Sequence, residues 1–559
     1  MSRRASSLGP IDLGLLGSLF FVVPVVLLGS SYLRPYDAPE LDPRPALLPL
    51  YLLLSLARLG AAYGMALLAA LATGYLAARS AAARRIILPS LDVLQSVPIL
   101  GFFPVAVGFF IGVFHGSALG VECAAVFLIF TSMFWNLAFG VYESLITLPE
   151  DLVVAADQIG LRGSLRWSRL ILPAVMPGVL YNSLVSWANG WYFLIASEII
   201  AVGPARYTLP GLGSYLAQSV VVGRHQQTLL AILVLLATTV GMHLLLWGPL
   251  DTWAERFRFE ESGGHPRTPP IARALGRSRI VRWVTRKLVV PSGQQALTVA
   301  GTVLHAVTTH SRLVGVALAL AVPLAVWGLG RRLYLLFVSR SLSPEIRDIP
   351  LDLVLSFLRV ALGVAVSAAL AIPVAYAIAC RPRWRGTALA VIQIFASIPA
   401  TAFFPLIVVL LTWGLAMNGG TVLLALTTMF WYVLFNVLGA TTAIPKEMQE
   451  AALTLGLGGR RYLWRVVVPA VIPGLITGSV TAWGAGWNAL ILCEYIEAGG
   501  RVFSVRGIGA TLDRANYGSG DMQVVAASLL AMVLLIVAVN RLFWDPLYQR
   551  AARRYKMDA

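Results

Sequence analysis

The sequence predicts an all-α polytopic membrane protein with about twelve transmembrane helices, arranged as two parallel six-helix repeats. Three observations predict it. The chain is 58% hydrophobic and only 12% charged, with mean hydropathy +0.78, whereas soluble domains carry about a quarter charged residues. Apolar runs of about 20 residues recur along its length, each long enough to cross a bilayer and obliged to close its own backbone hydrogen bonds as a helix. Residues 155–198 and 451–494 repeat one pattern at a constant offset of 296, through Ala155/Ala451, Gly160/Gly456, Pro173/Pro469, Trp187/Trp483, Gly190/Gly486, Trp191/Trp487 and Glu198/Glu494.

The spans are expected near 11–30, 59–78, 91–113, 121–146, 170–200 and 226–248, then near 313–330, 360–380, 388–413, 420–442, 466–496 and 522–543. The first run follows Arg3 and Arg4 and reads as a retained span rather than a cleaved leader. Upstream of the main repeat, Pro98 and Phe102-Phe103-Pro104 recur as Pro399 and Phe403-Phe404-Pro405, and Arg58 recurs as Arg359, offset by 301. The first half therefore holds five extra residues, expected in the turn around His115–Val121. The expected organisation is a first unit over 1–250, a basic cytoplasmic linker over 251–312, and a second unit over 313–559. An even number of spans puts both termini on one side, and the same-sided repeat is parallel, about an axis along the membrane normal.

Net charge is +17, but its distribution argues against nucleic acid. Most Lys and Arg fall in loops on one side, among them Arg79, Arg84, Arg85 and the 256–287 segment. That asymmetry makes the basic side, and both termini, cytoplasmic. Cys123, Cys380 and Cys493 are scattered without metal spacing and read as apolar filler. The only lysines are Lys287, Lys446 and Lys556, none after a glycine, so no phosphate-binding loop exists and the chain binds no ATP of its own. HExxH and GxSxG are absent and the six histidines are dispersed. No catalytic or metal-ligating residue is assigned, and a lipid-acting membrane enzyme is disfavoured.

Each half carries a long segment after its fourth span, 149–169 and 445–465, opening on Pro149 or Pro445. A small-residue surface followed by glycine suits a short helix, a tight turn and a second short helix that docks in a groove on another protein. The second copy reads Glu450-Ala451-Ala452, Gly456, then Val466-Val467-Val468-Pro469. It resembles the EAA loop of permease subunits in binding-protein-dependent ABC importers of type I architecture. The first copy keeps Ala155, Ala156 and Gly160 but has Val154 where the glutamate stands. The resemblance implies that these loops couple to two separate ATPase subunits, which bind the ATP and Mg, and that a periplasmic or lipid-anchored solute-binding protein delivers solute opposite. It also implies residence in a bacterial cytoplasmic (inner) membrane. The Pro-rich third span and the Trp–Gly–Trp…Glu fifth span resemble the nitrate/sulfonate/taurine group, usually two separate subunits; this chain would fuse them. That resemblance implies a small anionic solute. The alternative is a secondary transporter driven by an ion gradient, which inverted repeats would favour.

The candidate solute route is drawn from the fifth spans: Trp187, Trp191 and Glu198 in one copy, and Trp483, Trp487, Asn488 and Glu494 in the other, with Asn189 adding hydrogen-bonding capacity. Trp187, Trp191 and Glu198 share one helical stripe. Charge in a membrane is costly and faces protein or water. Two readings stay open: these residues line the route, or the tryptophans form an interfacial belt and each glutamate caps a helix end or pairs with an arginine such as Arg206 or Arg501. Arg58 and Arg359 are expected to snorkel to headgroups. The glycine-punctuated segments 207–222 and 502–520 read equally as external re-entrant or interfacial segments and as simple connectors.

Overall fold

A computed structural model describes residues 43–250, 341–379 and 416–555, apart from isolated positions, and scattered residues elsewhere. The expected first and seventh spans, nearly all of the linker and most of the ninth span lie outside the described residues.

The first unit runs α1 (Leu48–Arg79), α2 (Ala81–Ser96), α3 (Ile99–Val113), α4 (Ala118–Ile146), the short helices α5 (Glu150–Gln158) and α6 (Gly163–Arg166), α7 (Leu172–Ser197), a hairpin β1 (Ile199–Val202) and β2 (Ala205–Thr208), α8 (Leu212–Val221) and α9 (His225–Met242). The second repeats it: α10 (Ile349–Ala379), α11 (Met417–Thr442), α12 (Lys446–Thr454), α13 (Gly459–Tyr462), α14 (Val468–Cys493), β3 (Tyr495–Ala498), β4 (Arg501–Ser504), α15 (Ile508–Asp513), α16 (Met522–Val539) and α17 (Asp545–Tyr555). Among the described residues, 8 helices are long and apolar enough to cross a membrane, and the expected third span is a rod in two pieces, α2 and α3. Its break has a local cause. Pro98 caps α3 with an extended ψ of 118°, and proline pushes the residue before it away from helical geometry.

The second span of each unit starts about eleven residues before the expected 59 and 360. Apolar periodicity underestimates these helices because Ser55, Arg58, Asp352 and Ser356 lie inside them, buried. In the first unit a turn before α4 holds His115 and Gly116 at φ +52° and +76°; most of the counterpart segment in the second unit lies outside the described residues.

Within each unit the fourth and fifth spans pack through small residues, which allow close helix approach. A Cβ on Gly178 would meet Ser144 Oγ at 2.1 Å, and one on Gly474 the Asn436 carbonyl at 2.7 Å. A Cβ on Gly190 would meet Met133 Cε at 2.0 Å and one on Gly486 would meet Met429 at 2.9 Å, residues at equivalent places in the two units. The largest apolar cluster crosses between units, joining Ile99, Phe103, Tyr192 and Leu209 to Leu490, Ile491, Ile508 and Leu512.

Two elbows, two buried carboxylate latches and a seam

The elbows form as the local sequence dictates. Pro149 caps α5, with Glu150 and Asp151 in its first turn beside the helix N-terminus. The helix ends at left-handed Gly160 (φ +71°), where Leu161 N–H donates to Ala156 O at 2.9 Å and Gly160 N–H to Asp157 O at 3.1 Å, the Schellman closure. The second unit repeats it at Gly456 (φ +65°), with Leu457 N–H on Ala452 O at 2.9 Å. Ala156 and Ala452 are both 3% exposed and anchor the short helices. Ala155, Glu450 and Ala451 face outward. Beside each glycine stands an apolar knob, Ile159 at 73% exposure and Leu455 at 75%. The two units thus present an aliphatic side chain at equivalent places on their elbows.

At the other end of the fifth spans, Glu198 and Glu494 are fully buried. Glu198 Oε1 accepts from Ser55 Oγ at 2.5 Å and Arg58 Nη1 at 2.9 Å, and Oε2 accepts from Gly213 N–H at 2.6 Å. Ser55 Oγ in turn accepts from Leu212 N–H at 2.8 Å. Glu494 repeats this with Ser356 at 2.7 Å, Arg359 Nη1 at 2.6 Å and Gly509 N–H at 2.8 Å, while Ile508 N–H reaches Ser356 Oγ at 2.9 Å. Each carboxylate thus ties the second span, the end of the fifth and the first turn of the following helix. The Gly-x-Gly sequence makes room for it: a Cβ on Gly211 or Gly507 would lie 2.1 or 2.3 Å from a carboxylate oxygen.

The two latches differ in the charge of the arginine's second side-chain partner. Arg58 also holds Glu122 through Nε and Nη2, both at 2.6 Å, whereas Arg359 meets Asn418 Oδ1 at 3.2 and 2.9 Å. Arg58 is 5% exposed. Both arginines are therefore internal ion-pair partners rather than headgroup anchors, because the glutamate and a backbone carbonyl (Pro210 or Arg506, both at 2.8 Å) satisfy them inside the protein. Among the described side chains, the glutamates' cationic partners are these arginines; Arg206 and Arg501 lie on hairpin strands. A detectable signal existed in sequence: Ser-x-x-Arg occurs in both second spans at the 301 offset.

The tryptophan stripe turns into each unit's own interior. Trp187 meets Tyr63 and Trp247 edge-on at 5.5 and 5.4 Å. Trp483 meets Phe357 at 5.3 Å and Trp544 at 6.1 Å. Trp191 and Trp487 are 0% and 1% exposed. The asparagines instead reach the other unit. Asn488 Oδ1 accepts from Ile99 N–H at 2.7 Å, capping the N-terminus of α3, and Tyr432 Oη donates to Asn189 Oδ1 at 2.5 Å. Exposed Tyr181 lies on this flank of α7, and exposed Thr477 and Thr481 on that of α14. The expected segments 207–222 and 502–520 are mostly helical, α8 and α15 with the π turn after it; each follows an antiparallel hairpin of four-residue strands, paired Ile199↔Thr208 and Tyr495↔Ser504. Among the described residues, no group of His, Cys, Asp and Glu could hold a metal ion.

Comparison with known proteins fits the duplicated plan. The taurine transport system permease protein of Escherichia coli is 25% identical over 186 residues, covering 33% of this chain and 64% of that protein. The nitrate import permease protein of Leptolyngbya laminosa is 25% identical over 179 residues, covering 32% and 59%. A probable ABC transporter permease protein of Brucella melitensis is 26% identical over 148 residues, covering 26% of this chain and 56% of its own length. The chain thus spans little more than half the length of this last relative. The family described as binding-protein-dependent transport system inner membrane component matches twice, over residues 66–247 and 361–554. With most of its length matched, the chain belongs to that family, as two permease units in one polypeptide.

Proposed function

We propose that this protein is the membrane route of an ATP-driven importer. The observation that carries the reading is the pair of repeated elbows, each with an exposed aliphatic side chain beside a left-handed glycine. We place one ATPase subunit against each elbow, at Ala155, Ala156 and Gly160 on one side and Glu450, Ala451, Ala452 and Gly456 on the other. ATP and Mg reside in those subunits. The elbow face is cytoplasmic, the membrane a bacterial cytoplasmic membrane, and the hairpin face receives a solute-binding protein. The whole-chain organisation is a unit over 1–250, a tether over 251–312 and a unit over 313–559.

The solute passes along the seam between units, past Asn189, Asn488, Thr477 and Thr481, which offer uncharged hydrogen-bonding groups. The glutamates and tryptophans frame this route rather than touch the solute, since each carboxylate is held by hydrogen bonds and each indole by its own unit. ATP-driven closure brings the two elbows together and rocks the units about the seam. Relatives named for taurine, nitrate and bicarbonate support a small anionic or zwitterionic solute.

The test replaces Gly456 with Val and Ala452 with Trp. Valine strains a left-handed position, and tryptophan cannot occupy the buried alanine site. Reconstituted vesicles should lose ATP-driven uptake while the chain stays in the membrane. Undiminished uptake, or uptake driven by an ion gradient without ATP, would refute the reading.

A further inference from the structure

A cavity of about 410 Å³ lies between the units, lined by Gln95 and Glu143 of the first and by Thr477, Thr481, Arg541 and Asp545 of the second. Helix spacing fixes its place on the seam. Thr477, Thr481 and Asn488 share one stripe of α14, and Asn488 Oδ1 accepts from Ile99 N–H of the first unit at 2.7 Å. Gln95 stands one helical turn before Ile99. The cavity is therefore the next stretch of seam toward the elbows, and Glu143 lies in the last turn of α4, which leads into the first elbow. Glu143, Arg541 and Asp545 bring three charges to it. None of these charged groups has an ion-pair or hydrogen-bond partner among the described residues. Charge at membrane depth is costly and marks a functional site by default. The repeated plan does not require these charges, because the equivalent positions hold Gly439, Leu244 and Gly248.

The lining has a definite hydrogen-bonding sense. The hydroxyls of Thr477 and Thr481 donate to the carbonyls of Pro473 and Thr477, both at 3.1 Å, so their lone pairs are what remain to offer. With the two carboxylates they form a wall of acceptors. Arg541 is the one cation among the described lining residues, and a guanidinium only donates. Trp544 and Tyr548 add aromatic rings, which attract ammonium groups. A simple oxyanion would face two carboxylates offset by a single guanidinium, and a simple amine would leave that guanidinium unmatched. We propose that this cavity is a solute site for a small zwitterion. Its primary ammonium donates to Glu143, Asp545 and the threonine oxygens, and its carboxylate or sulfonate is clamped by Arg541. The inference rests on the importer reading above and selects among the solutes that reading allows. Glu143 and Arg541 belong to opposite units, so the bound zwitterion bridges the seam. Rocking of the units draws its two partners apart and releases it.

The experiment uses the full chain with its ATPase subunits in lipid nanodiscs, without a solute-binding protein. The probes are taurine and its deaminated form ethanesulfonate, β-alanine and its deaminated form propionate, and ethylammonium, which carries no acid group. Equilibrium binding should saturate for at least one zwitterion and be roughly tenfold or more weaker for the probes lacking either group, as expected for the loss of a charge-assisted hydrogen bond. Glu143→Gln should cut the preference for that zwitterion over its deaminated form, and Arg541→Gln the preference for it over ethylammonium, each by roughly tenfold. Each preference is a ratio within one preparation, so a partly misfolded variant still reports it. A deaminated anion bound by the wild type as tightly as its zwitterion overturns the proposal. So do preferences untouched by both substitutions, or failure of both zwitterions to saturate. Those results, with ATPases seated on the elbows and ATP-driven uptake intact, leave the importer reading standing; absence of ATPases from the elbows removes both.

Discussion

Glutamine in place of Glu494 should harm the protein more than glutamine in place of Glu198, although both carboxylates are fully buried. The substitution removes the charge from each guanidinium's partner. It also turns one acceptor into an N–H₂ that faces the N–H of Gly509 or Gly213, donor against donor. In the second unit Arg359 then keeps only neutral acceptors, Asn418 Oδ1 and the Arg506 carbonyl. Removing one member of a buried pair costs about 3–5 kcal/mol, because the remaining charge is stranded. In the first unit Arg58 still holds Glu122 through two N–H groups at 2.6 Å. Its charge stays paired, and the cost falls toward that of unmet hydrogen bonds, about 1–3 kcal/mol. At about 2–4 °C per kcal/mol for a unit of this size, Glu494→Gln should lower the melting temperature by on the order of 10 °C and Glu198→Gln by roughly half that or less. Thermal unfolding in detergent, followed by tryptophan fluorescence, measures both. Equal shifts, or a larger shift for Glu198→Gln, would refute the assignment of unequal latches.

Gly507→Ala places a methyl about 2.3 Å from a Glu494 oxygen, so it should approach the cost of Glu494→Gln in the same melt; wild-type stability would contradict the seat geometry. Asn488→Ala leaves the Ile99 N–H without its acceptor and should cost about 1–3 kcal/mol, read as easier separation of the units in a split chain expressed as two halves. Asp513 is buried beside Glu494, and burial first, then that neighbouring carboxylate, pushes its own carboxyl well above the usual range. A raised acid makes the folded state bind more protons than the unfolded one, so stability falls as pH rises past the unfolded value of about 3.9 toward the folded value. Asp513→Asn should flatten that decline and raise stability at neutral pH; an unaltered pH profile of melting would count against it.

Much of this was legible in sequence, and the failures share a cause. The repeat, the spans and the elbows follow from local patterns: apolar length, a proline start, a glycine at the left-handed stop. The tryptophan stripe was also legible as a stripe, since 187, 191 and 198 share one helical face. Which neighbour that face meets is not local information. In a lipid-embedded bundle the interior of a unit and the seam between units are both apolar, so Trp187 against Tyr63 and Asn488 against Ile99 cannot be told apart by hydropathy. Arg58 and Glu198 lie 140 positions apart, and read alone each looks like a misplaced charge near a span end. The hairpins escaped notice because four-residue strands beside glycine-rich turns carry too little alternation to outweigh a loop reading.

Covalent duplication explains why the two latches need not match. In a symmetric pair of identical subunits, residue 122 and its counterpart would be the same, and any change would be made twice. Here Glu122 and Asn418 occupy equivalent places with different charge, as do Pro210 and Arg506. Register has drifted too. The offset is 296 at Gly211/Gly507 but 297 at the buried pair Trp247/Trp544, so the second unit holds one extra residue between them. The π-helical turn Arg514–Ser519 lies in this interval, directly after α15. A π turn accommodates one additional residue while the helices on either side keep their packing, and such turns cluster where a segment is adapted for use. This extra residue and the latch with the singly paired arginine fall in the second unit, while the five-residue insertion falls in the first, so each unit has departed from the shared plan at its own places.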